Sequence, residues 1–122
     1  MAKKILIVDD DPNIVSLLAA RLRANGYEIV SAEDGLVGLE KAKTEKPDLI
    51  ILDLMLPKMD GYKVCGLLKK DTRYSKIPII LFSARAQEAD VRLGEEVSAD
   101  AYITKPFEPK KLLSKIQGFL GP

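Results

Sequence analysis

At 122 residues the chain is long enough to bury one core, and a single domain over 1–122 is expected. Nineteen basic and eighteen acidic side chains leave a net charge of +1, which argues against broad attraction to nucleic acid or to an anionic membrane. Histidine is absent, excluding Ser-His-Asp and Cys-His catalysis and imidazole metal sites, and the single Cys65 excludes an internal disulfide.

Ile5-Leu6-Ile7-Val8 reads as a first strand that stops on Asp9-Asp10-Asp11, too short a run for a signal peptide or a membrane span. A protein of the reducing cytoplasm, with no membrane association, is expected. Asp11-Pro12 reads as an N-cap followed by proline at the first helical position, with Ile14, Leu18 and Leu22 on one face and Asn25-Gly26 at the end. A short second strand runs from Tyr27 to Ser31. The next helix spans Glu33 to Lys46 with Leu36, Leu39 and Ala42 inward, and Pro47 stops it.

Asp48 to Leu52 is apolar nearly throughout, as a strand buried on both faces should be, and Asp53 follows it. Turn signals at Pro57 and Asp60-Gly61 precede a helix from Tyr62 to Lys70, where Cys65 sits with Val64, Leu67 and Leu68 as a packed thiol. Pro78 opens a fourth strand, Ile79 to Phe82, which stops on Ser83. A polar helix from Ala86 to Val97 leads to a fifth strand, Tyr102 to Thr104, which ends at Lys105-Pro106. A last helix, Glu108 to Leu120, turns Leu112, Leu113, Ile116 and Leu120 inward. Five βα units in succession predict a parallel sheet with helices on both faces.

Carboxylates, a hydroxyl and an ammonium therefore gather at the carboxyl ends of parallel strands, where such sheets bind ligands. That mixture suits a hard cation and a phosphoryl group on an acidic oxygen. With Asp9-Asp10, Asp53, Ser83 and Lys105-Pro106-Phe107 closing the first, third, fourth and fifth strands, the chain resembles the receiver domain of bacterial response regulators over essentially its whole length.

The resemblance implies a flavodoxin-like sheet of order 2-1-3-4-5, with Asp10 and Asp53 facing each other at the switch point. It makes Asp53 the phosphoacceptor, and gives Mg²⁺ to Asp9, Asp10, Asp53 and the backbone carbonyl of Met55. Asp11, just before Pro12, reads as a cap in preference to a ligand. Lys105 is expected on the phosphoryl oxygens, re-aimed by a cis bond to Pro106, and Ser83 as the hydroxyl that moves toward them. Tyr102 matches the switch aromatic, and Met55 and Arg85 the positions that tune phosphoryl lifetime. A serine that merely ends its strand and a buried strand tyrosine stand beside these as plain readings of Ser83 and Tyr102.

The expected partners are a sensor histidine kinase or a phosphotransfer protein, and an output domain or effector that reads the face of the 86–97 helix, the fifth strand and the last helix. No direct nucleic-acid binding is expected. The transcription-factor branch of the family resembles this chain around Asp100, but it has acidic residues where Ala101 and Lys111 stand, so a mostly monomeric protein with a basic surface at Lys110, Lys111 and Lys115 is expected. Two rivals are a phosphohydrolase, which needs a second Asp where Met55 stands, and a flavin-phosphate binder, which three aspartates after the first strand would repel.

Overall fold

The structure is a computed structural model that describes residues 2–83, 98–104 and 107–121. The apolar runs form strands β1 (Lys4–Val8), β2 (Glu28–Ala32), β3 (Leu49–Asp53), β4 (Ile79–Ser83) and β5 (Ala101–Thr104). They are joined by helices α1 (Pro12–Ala24), α2 (Gly35–Thr44) and α3 (Gly61–Lys70), and a C-terminal helix (Pro109–Leu120) closes the chain. All strand pairs are parallel, in the order β2-β1-β3-β4-β5. The helix expected over 86–97, Arg85, the Lys105-Pro106 pair and the side chain of Ser83 lie outside the described residues.

Alternation along the strands sorts the core into two layers. Leu6, Val8, Ile50, Leu52, Ile79 and Leu81 pack with Ala42, Val64 and Leu68 on the α2–α3 face. Ile5, Ile7, Leu49, Ile51, Ile80 and Phe82 pack with Leu18, Leu22, Leu112 and Ile116 on the face of α1 and the C-terminal helix. Right-handed crossovers explain the division: the chain steps outward from β1 to β2 and then reverses direction, so α2 and α3 must cross on the opposite side from α1. Every residue of β3 is buried, as its unbroken apolar run requires.

Local chemistry sets the helix starts. Asp11, Asp34 and Asp60 each accept a backbone N–H from the first turn of α1, α2 and α3. Proline opens α1, and Gly26, at φ +90°, follows its end.

One inward assignment needs correction. Leu36 is 48% exposed, because α2 turns a small-residue face, Gly35, Gly38 and Ala42, to the sheet. A Cβ at Gly38 would stand 2.7 Å from Val8 Cγ1. This close approach fixes the rotation of α2 and leaves Leu36 facing outward. Cys65 is fully buried, and burial pushes its thiol up to about 11, which fits a packing role. At the other end of α3, Lys69 Nζ lies 2.7 Å from Asp100 Oδ2, which also accepts the Ile79 N–H at 2.8 Å. Among the described residues, no helix is long and apolar enough to cross a membrane.

Candidate functional site

β1 and β3 are neighbours at the centre of the sheet, with Val8 opposite Leu52. One further step brings Asp9 level with Asp53. One oxygen from each of Asp9, Asp10 and Asp53 lies within 4.8 Å of the others. Asp9 and Asp53 are only 3% and 5% exposed, whereas Asp10 faces solvent. Backbone donors orient the buried pair: Asp9 Oδ1 accepts the Asp11 N–H at 2.9 Å, and Asp53 Oδ1 accepts the Met55 N–H at 3.2 Å. Asp11 spends its own Oδ1 on the Asn13 N–H at 2.9 Å, so it serves as the α1 cap.

Ionised carboxylates at this separation repel by about 3.5 kcal/mol per pair at an effective dielectric near 20. The donor set is oxygen only, with two members sheltered and one open to water, which fits a hard divalent cation that keeps part of its hydration shell. A cleft of about 450 Å³ opens beside Asp9 and Asp10, lined also by Pro12, Val15, Glu33 and Lys41. The cluster is thus reachable from solvent.

The loop after Asp53 is held at both ends. Gly61 donates to the Leu54 carbonyl at 3.0 Å, and any Cβ on Gly61 would collide with the Asp53 carbonyl. Midway, Met59 N–H donates to the Pro57 carbonyl at 2.8 Å around Lys58 at φ +68°, a γ-turn of the strained hand. The β2–α2 turn lies against it. Gly35 N–H reaches the same Pro57 carbonyl at 3.3 Å, the Gly35 Cα abuts the Met59 carbonyl, and Lys58 Nζ lies 3.5 Å from Asp34 Oδ2. Asp34, Gly35, Lys58 and Gly61 were not legible as site residues, since a glycine or a charge in a loop carries no label of what it approaches. The side chain of Met55 is 61% exposed.

On the other flank Ser83 ends β4 in register with Thr104, the last residue of β5. The Phe82 and Phe107 rings lie 5.6 Å apart at a tilt of 56°, joining the end of β4 to the segment beyond β5. Tyr102 is half-buried and packs against the α2–α3 core. The structure thus brings together Asp9, Asp10 and Asp53. The side chains of Ser83, Arg85 and Lys105 are not among those described.

Residues 5–117 match the response regulator receiver domain family. The alkaline phosphatase synthesis transcriptional regulatory protein PhoP of Bacillus subtilis (strain 168) is 48% identical across 98% of this chain and 49% of its own. The chain thus spans about half the length of the curated relatives it matches. Chemotaxis protein CheY4 of Vibrio cholerae superposes with a TM-score of 0.91 at 30% identity, covering 98% of this chain and 99% of that one. The receiver domain of sensor histidine kinase PA1611 from Pseudomonas aeruginosa PAO1 is 28% identical with a TM-score of 0.91 over 100% of both chains, and it carries a magnesium ion coordinated in its active site cleft. Strand order, sequence match and structural likeness converge, and the chain belongs to the response regulator receiver domain family of two-component signalling.

Proposed function

We propose that Asp53 is the phosphoacceptor of a signalling switch. An Asp53 carboxylate oxygen attacks the phosphorus of a phosphohistidine on a sensor kinase or phosphotransfer protein. The P–N bond breaks with its electron pair leaving on the imidazole, and a mixed anhydride forms on Asp53. Asp9, Asp10, Asp53 and the Met55 carbonyl would hold Mg²⁺, which would supply positive charge to offset repulsion between carboxylate and phosphate. Within the chain, the Met55 N–H fixes the rotation of the Asp53 carboxylate and the Asp11 N–H that of Asp9. Lys105 and Ser83 contact the phosphoryl oxygens, Tyr102 repacks as Ser83 moves, and Met55 and Arg85 limit the approach of water.

The single observation that carries this reading is the meeting of Asp9 and Asp10 with Asp53 across the central strand pair. A phosphohydrolase is disfavoured because Met55 offers no proton to a leaving group or a water. Output lies in a partner or in a further domain. PhoP is a transcriptional regulatory protein, which favours control of a DNA-binding unit, and the proposal places no nucleic-acid contact on the receiver itself. Asp100 is engaged by Lys69 and the Ile79 N–H, and Lys111 lies 3.8 Å from Glu108, the cap of its own helix; with two of the described charges on that face so engaged, the receiver is proposed to stay mostly monomeric.

Acetyl phosphate with Mg²⁺ tests the chemistry. Intact-mass spectra should show one added phosphoryl group, and none when the metal is chelated before acetyl phosphate is added. Labelling indifferent to chelation, or steady turnover of an aryl phosphate, would contradict the reading.

A further inference from the structure

Lys58 occupies a backbone conformation that a lysine adopts at a cost. At φ +68° it is left-handed, in a γ-turn whose closing bond runs from Met59 N–H to the Pro57 carbonyl. Glycine would accept this geometry without strain, but would bring no side chain. The lysine brings an ammonium, and its Nζ lies 3.5 Å from Asp34 Oδ2. Asp34 is nearly buried and fixed by accepting the Val37 N–H at 2.8 Å, so it is an anchored partner. The Pro57 carbonyl in turn receives the Gly35 N–H, and the Met59 carbonyl rests on Gly35. The N-terminal end of helix α2 thus grips the middle of the loop, three residues beyond Met55.

We propose that Lys58 is a positioning residue for the metal site: its ion pair with Asp34 holds the strained turn so that the loop presents the Met55 carbonyl to the Asp9, Asp10 and Asp53 cluster. The inference rests on the proposed metal site and adds a residue that touches neither metal nor phosphate. The effect of Lys58 is then opposite in sign to simple electrostatics. Loss of a cation from the protein should favour a dication at the acidic cluster, whereas loss of a positioning contact should disfavour it.

The test is Mg²⁺ titration by calorimetry of the native protein, Lys58→Gly, Lys58→Ala and Lys58→Arg, with thermal melts of each in chelator. Lys58→Gly relieves the strain and removes the pair. It should bind Mg²⁺ about 10-fold more weakly, the low end for outer-shell groups of metal sites, while its metal-free melting temperature holds or rises. Lys58→Ala should weaken binding equally but melt lower, and Lys58→Arg should restore most of the affinity. Equal or tighter Mg²⁺ binding by Lys58→Gly, with the native protein binding normally, would overturn the role of Lys58 alone. Absence of Mg²⁺ binding in the native protein would overturn the metal site and this inference with it.

Discussion

Asp34 serves two neighbours from one nearly buried carboxylate: it caps α2 through the Val37 N–H and faces Lys58 across the loop. The Val37 hydrogen bond, then the charge of Lys58, hold its carboxyl below the usual carboxylate range against the opposing effect of burial. A depressed folded-state pKa means that its stabilisation is fully present above the unfolded value of about 3.9 and is lost as pH falls through the lower folded value. Asp34→Asn should therefore lower the urea midpoint at pH 7, and the gap from the native protein should narrow in strong acid. A gap that stays constant from neutral to strongly acidic pH would show that ionisation of Asp34 does not contribute.

Among the elements, α2 and the C-terminal helix carry glycines with opposite consequences. A methyl at Gly38 would press on Val8, so Gly38→Ala should cost about 1–3 kcal/mol by overpacking. Gly118 has open space around it in an exposed stretch of helix, so Gly118→Ala should stabilise by about 0.5–1 kcal/mol. Chemical denaturation of both variants checks the pair, and a shift of the same sign in both would contradict the packing described. The same contrast marks how far the sequence could be read. Short unbroken apolar runs, Asp-Pro and Asn-Gly at helix ends, and the buried run before Asp53 were legible because each is written in consecutive residues. The rotation of α2 was not, since it follows from contact between Gly38 and Val8, thirty residues apart. The clasp of Asp34 on Lys58 escaped for the same reason. The three clustered aspartates were legible because strand ends in a parallel sheet must share an edge.

For the molecule as a whole, the carboxylate cluster sets stability against function. Asp9, Asp10 and Asp53 crowd together at the carboxyl edge of the two central strands, and a bound dication would relieve repulsion among them in the folded state only. Mg²⁺ at about 100 times its dissociation constant should raise unfolding free energy by about 2.7 kcal/mol, and Asp10→Asn should blunt the response. A melting temperature indifferent to millimolar Mg²⁺ would count against the site. Among these carboxylates, the one on β3 is proposed to receive the phosphoryl group. Borohydride reduction of the acetyl-phosphate-treated protein converts an aspartyl phosphate to homoserine, and peptide mass spectrometry then locates it. Homoserine at position 53 alone, absent in Asp53→Asn, is the result expected; homoserine at position 9 or 10, or undiminished labelling of Asp53→Asn, would contradict the account.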